Sequence, residues 1–428
     1  VTPAQGTDTD ALRAELARQA QAIQALETRE QQRDDDARAA ARALRFSGYL
    51  QVDWVAYNQA SVDEVNASTR APLNQNRFTL RRGHLRVDAE HGLLLGALEI
   101  DANTTNGLQV RPIDAEISLR SSERIEPNKP HAMLTAGLFK IPFGFEVQEL
   151  DVDRPFLERS SVARALFPGE FDLGVRAWLR YRFLDAKIAI MNGHPIADRT
   201  FPALDPTSAK ELVGRIGAAT DIVPAVGVDF GISVDRGTGF HEGTPTTKDQ
   251  LTWRDDNGDG IVQATEIQVI PGASATPSEL FRRFGLGADA RIFVRFARGF
   301  ALDLRAEVMR AENLDRGLEP ADPVGAGYDL REFGYYVGAT QELTAFGLVG
   351  IRYDRYNPDQ DAHEQQALNV VPRDRSYSTL ALLAMLRYEG ARLAVEYDHN
   401  GNALGRDASG KPTTLASDAL TVRAQYRF

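Results

Sequence analysis

The sequence predicts an all-β protein: an antiparallel transmembrane β-barrel of about sixteen strands, preceded by a short N-terminal coiled-coil helix. Three observations carry this. From Phe46 to Phe428 apolar and polar residues alternate with a period of two, the links between alternating segments are in turn short and long, and no apolar run is long enough for a membrane helix. A barrel strand needs only about ten residues with every second one apolar, so a mean hydropathy of −0.33 is compatible with a membrane protein. The chain starts at Val1 with neither Met nor an apolar leader, which predicts removal of a signal peptide.

Residues 1–45 read differently from the rest. From Thr9 to Leu44 the chain is rich in Ala, Arg, Gln and Glu and lacks Gly and Pro, which favours helix. Leu12, Leu16, Ile23, Leu26, Ala37, Ala40 and Leu44 follow a 4-3 spacing, with Gln19, Glu30 and Arg33 also on the seam. So narrow a stripe stabilises little by itself, so self-association in a coiled coil is favoured over a lone solvated helix.

The strand candidates are 46–57, 77–89, 93–103, 113–121, 131–140, 173–183, 185–192 and 209–220 in the first half of the barrel. In the second they are 225–235, 284–296, 300–310, 332–342, 347–355, 378–388, 391–398 and 419–428. The alternation is clear in the last, where Leu420, Val422, Ala424, Tyr426 and Phe428 oppose Arg423, Gln425 and Arg427. Short turns at Glu90-His91-Gly92, Leu184-Asp185, Ala297-Arg298-Gly299 and Glu389-Gly390 alternate with long polar connections. That is the outer-membrane pattern of brief periplasmic turns and extended external loops, which a soluble β-sandwich does not require. The final Tyr426-Arg427-Phe428 resembles the terminal signal of such barrels. An even strand number leaves the helix on the periplasmic side.

Several segments resemble the phosphate-selective porin O/P family. They are Phe78-Thr79-Leu80-Arg81-Arg82-Gly83-His84-Leu85-Arg86-Val87, Gly137-Leu138-Phe139-Lys140-Ile141-Pro142-Phe143-Gly144, Arg154-Pro155-Phe156-Leu157-Glu158-Arg159, Phe171-Asp172-Leu173-Gly174-Val175 and Met191-Asn192-Gly193. The resemblance implies a homotrimeric porin in the lipid of the bacterial outer membrane, passing small anions such as phosphate. It also implies a third loop folded into the lumen and a ladder of arginines, with a periplasmic coiled coil in some members. The alternative is a structural barrel that anchors a further envelope protein through its external loops or its coiled coil.

With the apolar face towards lipid, inward parity falls on Arg82, Arg86, Arg120, Arg176, Arg180, Arg182, Arg215, Arg291, Arg305, Arg352 and Arg423, with Lys140 beside the constriction. Arg295, Arg387 and Arg427 share it. Rows of guanidiniums pass anions. Asp53, Glu99, Asp101, Glu116, Asp289, Asp303, Glu307, Asp354 and Glu396 have the same parity, so structural pairing is the competing expectation. The third loop, 141–172, carries Arg154, Arg159 and Arg164 as constriction candidates. Its Ile141, Phe143, Phe145, Phe156, Leu157, Leu166 and Phe167 predict packing inside the barrel mouth or, alternatively, at a trimer interface.

The sharpest local motif is Asp255-Asp256-Asn257-Gly258-Asp259-Gly260-Ile261-Val262-Gln263-Ala264-Thr265-Glu266, in the external loop 236–281. It matches the twelve-residue calcium loop, with Asp255, Asn257, Asp259, the Ile261 carbonyl, Gln263 and Glu266 as ligands and Gly260 at the turn. No paired helices flank it, and a plain Asp/Gly surface turn is the alternative. A net charge of −11 argues against nucleic acid, and with no cysteine there is neither a disulfide nor a thiolate metal site. The usual catalytic motifs do not occur, so no enzymatic activity is expected.

Overall fold

The computed structural model describes residues 29, 44–59, 68, 76–105, 107–126, 128–198, 205–296, 300–366, 368–407 and 412–428. The predicted coiled coil, apart from Arg29, and the turn at 297–299 lie outside them.

Numbered along the chain, the wall begins with β1 (Leu44–Gln59), β2 (Asn76–His91), β3 (Leu94–Asn103), β4 (Gln109–Arg120) and β5 (His131–Lys140). It continues with β6 (Phe171–Tyr181), β7 (Leu184–Met191), β8 (Glu211–Val223) and β9 (Val226–His241). It ends with β12 (Glu279–Arg295), β13 (Ala301–Glu312), β14 (Arg331–Glu342), β15 (Gly347–Asn357), β18 (Tyr377–Tyr388), β19 (Ala391–Gly401) and β22 (Ser417–Arg427). These form one closed barrel of 16 strands, sealed where β1 pairs antiparallel with β22. The strand number agrees with expectation. Leu44 and Arg45, read as the end of the helical segment, belong instead to β1, where Arg45 faces Asp88.

Three hairpins in the long loops were not expected: β10 (Gln250–Trp253) with β11 (Ile267–Ile270), β16 (His363–Gln366) with β17 (Asn369–Pro372), and β20 (Gly405–Arg406) with β21 (Pro412–Thr413). β9 and β12 run further than predicted, so the loop between them is 242–278 rather than 236–281.

The wall is polar within and apolar without. Ile216 and Ile232 are 65% and 69% exposed on the outer face, while Asp235 and Glu396 inside are 0% and 1% exposed. Burying ionisable groups while exposing isoleucine is costly in water and favourable when the surroundings are hydrocarbon.

Three register shifts break the alternation among the described strands, one of them beside the β8–β9 turn, between Asp221 and Val223. Between β1 and β2 the register steps from Gln51↔Arg82 to Val52↔Leu80, leaving Arg81 as the extra residue. Between β3 and β4 it steps from Glu99↔Asp114 to Ile100↔Pro112, leaving Ile113 extra; Pro112 has no N–H to give to a ladder.

Lumen-facing glycines make room for the third loop. A Cβ on Gly287 would stand 2.7 Å from the Phe143 ring, and one on Gly334 would stand 2.6 Å from the Val162 side chain. Replacing Gly334 by Val is therefore expected to destabilise the barrel by about 1–3 kcal/mol through overpacking. A Cβ on Gly96 meets nothing nearer than 3.9 Å, so Gly96→Ala should leave the thermal unfolding midpoint unchanged. Comparing the two midpoints in detergent checks both expectations.

Candidate functional site: a lumen spanned by the third loop

A loop of this length inside a barrel brings unpaired backbone groups with it, and each needs a partner. The loop runs from Ile141 to Glu170 and contains one short helix, α1 (Ser161–Leu166), capped by Ser160. The wall supplies the partners. Glu307 accepts the N–H groups of Phe145 (3.2 Å) and Glu146 (3.1 Å), Glu396 accepts that of Leu157 (3.0 Å), and Asp354 that of Ser161 (3.1 Å). Ser233 accepts from the Gly144 amide at 2.9 Å. In the other direction Arg423 donates to the Leu157 carbonyl (2.7 Å), Arg352 to that of Glu158 (2.7 Å) and Arg392 to that of Val152 (2.6 Å). Hydrogen bonds to charged groups each contribute about 1.5–3 kcal/mol.

The apolar side of the loop completes the seat. Ile141, Phe143, Leu166 and Phe167 are buried with Met309, Leu314 and Tyr356, while Phe156 and Leu157 pack on Leu383 and Met385. Packing inside the barrel is thus the observed arrangement, with Phe145 only partly covered. The sixth loop, 313–330, locks over it: the amides of Arg316 and Gly317 donate to the Ala165 carbonyl, both at 2.9 Å.

The strongest anchor is on the opposite wall. Because Arg81 is the bulged residue, it turns inward together with Arg82. Arg81 makes a two-pronged pair with Glu158 (2.7 Å for each bond), and Arg82 and Arg423 reach the same carboxylate at 3.5 and 2.9 Å. Arg82 also pairs with Asp151 at 3.1 Å. Burial works against ionisation of Glu158, but Arg81, Arg82 and Arg423 outweigh it and hold its carboxyl well below the usual range. Asp151 is likewise opposed by burial and held low by Arg82, Arg159, Arg154 and Lys140. Arg81 was missed because strict alternation points it at lipid; the adjacent Arg81-Arg82 pair was the available signal.

Two cavities flank loop residues Gln148–Asp153. One, of about 410 Å³, is lined by Tyr49, His84, Arg86, Lys140, Asp151 and Arg176 among others; the second, of about 400 Å³, by Glu149, Arg180, Arg182, Lys187, Arg215 and Arg291. Most of the expected ladder faces inward and is paired. Arg86 binds Glu99 (3.1 Å) and Asp114 (2.6 Å), Arg176 binds Glu116 (3.2 Å), and Arg215 binds Asp289 (2.5 Å). Arg291 holds Asp303 (2.8 Å), Arg305 holds Glu149 (2.6 Å), Arg352 approaches Glu146 (3.5 Å) and Arg423 holds Asp53 (2.7 Å). Arg120 pairs with Glu90 at the short-turn end, as Arg387 does with Glu342, and Lys140 contacts Glu170 (3.2 Å). Arg295 reaches Asp221 (3.3 Å) and Arg427 reaches Asp153 (3.2 Å). Arg180 and Arg182 make no ion pair among the described residues. Arg182 lies in the turn after β6, with φ +53°, rather than on the strand. His84 sits between Glu99 (2.6 Å) and Asp101 (3.3 Å), a structural lumen histidine.

The arginines of the third loop have other roles than expected. Arg154 pairs with Asp151, and Arg159 pairs with Asp151 (3.0 Å) and Glu170; both are buried. They hold the loop to itself. Arg164 is exposed on α1 and bonds the Ser161 hydroxyl at 3.3 Å.

The loop 255–266 joins β10 to β11 as the tip of a hairpin. Asp255 accepts the amides of Gly258 (2.6 Å) and Gly260 (2.8 Å), Asp259 that of Ile261 (2.8 Å), and Glu266 those of Gln263 (3.1 Å) and Asp256 (3.3 Å). Gln263 donates to Asp259 at 2.6 Å, and Asn257 does so at 3.1 Å. Gly258 and Gly260 make the turns at φ +73° and +72°. Among the described residues no three Asp, Glu or His side chains are drawn together closely enough to hold a metal ion.

No family model matches the chain, and no curated protein matches it. Solved structures do. OprB of Pseudomonas putida aligns at 10% identity over 91% of this chain and 95% of its own, with a TM-score of 0.57. The outer-membrane channel DcaP of Acinetobacter baumannii aligns at 11% identity over 90% and 97%, with a TM-score of 0.52. OmpT of Vibrio cholerae, an outer-membrane protein solved in a trimer form, aligns at 10% identity over 90% and 99%, with a TM-score of 0.51. At such identity the likeness is one of fold: this barrel is built like those of outer-membrane channels.

The Glu158 anchor gives a testable consequence. Glu158→Gln leaves Arg81 without a counter-charge and takes one of two from Arg82 and Arg423, and amide exchange of residues 148–158 should quicken about tenfold or more while that of the wall is unchanged. Because the folded Glu158 and Asp151 titrate below their unfolded values, their contribution is fully present above about pH 5. It is lost only as the pH falls through the depressed values. The protection factors of the loop amides, that is, their exchange corrected for the intrinsic rate at each pH, should thus gain or lose nothing from Glu158 and Asp151 between pH 7 and 5 and should fall in stronger acid.

Proposed function

We propose that the protein is a porin of the bacterial outer membrane, a passive channel for small hydrophilic ions. The observation that carries this is the polar, charge-paired lumen with cavities on both sides of a loop pinned to the wall. A preference for anions is part of the proposal. Arg180 and Arg182 stand along one cavity without an ion pair among the described residues, so a mobile anion there meets two cations, beside the acids Glu149, Asp153, Asp185 and Asp229 and beside Lys187, which lies 4.0 Å from Asp185. Elsewhere the guanidiniums are neutralised, so the preference is weak and phosphate is one small anion among others. The trimer is proposed on the strength of OmpT, which was solved as one.

Reversal potentials in a planar bilayer under a potassium chloride gradient, repeated with potassium phosphate, test the reading. Mild anion selectivity is expected, and Arg180→Gln with Arg182→Gln should move the reversal potential towards the cation side. A cation-selective wild type contradicts the anion preference. The third loop reaches Arg82 on one wall and Glu307 on the other. An absence of conductance would therefore favour the second reading, a structural barrel that anchors an envelope partner.

We propose in addition that the hairpin tip 255–266 takes Ca²⁺. Asp255, Asn257, Asp259, Glu266 and the Ile261 carbonyl are the oxygen donors, with Gln263 as a further one. The hard oxygen set and the two turning glycines fit that ion. Calorimetry should show binding at about 10⁻⁴–10⁻³ M and its loss in Glu266→Gln; no heat from the wild type at millimolar calcium contradicts it.

A further inference from the structure

The outer face of one wall segment differs from the lumen in the state of its arginines. Arg236 on β9, Arg282 on β12 and Arg310 on β13 all point outward and are exposed, and none has an ion pair or side-chain hydrogen bond among the described residues. The ladders set them close together. Arg236 faces Phe284 across β9–β12, Arg282 is one outward position further along β12, and Arg310 faces Leu286 across β12–β13. At about 5 Å between strands and 7 Å between outward positions on one strand, neighbouring guanidiniums fall within reach of one multivalent anion. Glu312 is the only acid at the outward positions of β9, β12, β13 and β14, and it faces Arg331.

Their height along the wall identifies their surroundings. Below Arg282 every outward side chain of β12 is apolar: Phe284, Leu286, Ala288, Ala290, Ile292 and Val294, followed by Phe296 at the short-turn end. Twelve residue steps make about 40 Å of strand, which at a tilt near 40° spans about 30 Å, the thickness of a hydrocarbon core. Arg282 is thus at the headgroup level on the long-loop side, with Arg236 one and Arg310 two outward positions lower on their ladders, where a long side chain reaches up to that level. Eight to ten residues below Arg282 on β12, and four to six below Arg310 on β13, the wall is dented. A shallow cavity of about 360 Å³ is lined by Ala290, Ile292, Leu304, Ala306, Val337 and Ala339, where small residues leave space between larger ones.

We infer that this face is a binding site for a phosphorylated lipid of the outer leaflet. Arg236, Arg282 and Arg310 hold the headgroup phosphates, and the alanine-lined dent seats an acyl chain. Charge complementarity selects the head: a guanidinium exposed at that level without a carboxylate finds its counter-ion in lipid phosphate. The inference is independent of whether the lumen conducts, and needs only that the barrel lies in a membrane.

The test uses the full chain in phosphatidylcholine vesicles carrying spin-labelled phosphatidic acid or, separately, spin-labelled phosphatidylcholine. The wild type should restrain phosphatidic acid in preference, and the preference should fall about fivefold for each arginine removed, vanishing in Arg236→Gln/Arg282→Gln/Arg310→Gln. Ala306→Trp, which fills the dent, should weaken retention of the labelled acyl chain with all three arginines present. Heat-modifiable gel mobility reports that each variant is folded. Equal restraint of both lipids by the wild type, or a preference untouched in the folded triple variant, overturns the inference. So does full competition by inorganic phosphate, which would make this a site for the free anion. Loss of oligomer in Ala306→Trp without any change in lipid preference also overturns it, marking the face as a contact between copies.

Discussion

The structure depends on one constraint: the third loop carries peptide groups into the middle of a barrel, and they must be hydrogen-bonded there. Glu307, Glu396, Asp354, Arg352, Arg392 and Arg423 meet that demand from the wall. Where those positions are charged they take a counter-charge, as Arg352 does from Glu146, Arg392 from Asp153 and Arg423 from Asp53, because a lone buried ion is far more costly than a pair. The network of acids and bases around the lumen follows. So do the glycines opposite Phe143 and Val162, which leave room where a side chain would push the loop away.

This constraint also bears on the channel function proposed above. Guanidiniums committed to Asp53, Asp289, Asp303 and Glu116 present a weak field to a passing ion. Within that ladder Arg180 and Arg182, beside the second cavity, are the arginines without an ion pair among the described residues. An arginine ladder in sequence is therefore a poor measure of selectivity, since a carboxylate on the next strand cancels it at a range where screening is slight.

The two faces of the wall resolve the same problem differently. Inside, arginine is neutralised by protein carboxylates. Outside, Arg236, Arg282 and Arg310 have no carboxylate partner among the described residues, and in the inference drawn above the membrane supplies the negative charge. Where the surroundings supply the counter-ion, the fold need not.

By itself the sequence determined the barrel. A period of two cannot be satisfied by helices, and alternating short and long links with sixteen strand segments left few other architectures. It also placed Ile141, Phe143, Leu166 and Phe167 in a loop too apolar for water, as their burial confirms. What only the tertiary structure decided was partnership. Arg81 faces the lumen because a bulge adds one residue to β2, and a bulge arises from pairing between strands, invisible to a rule that counts along one strand. Arg154 and Arg159, expected as constriction-loop residues, hold the loop to itself because Asp151 and Glu170 fold back onto them. Residue parity is a local property of the chain and can be read from its order; which charge meets which across the lumen is set by closure of the barrel.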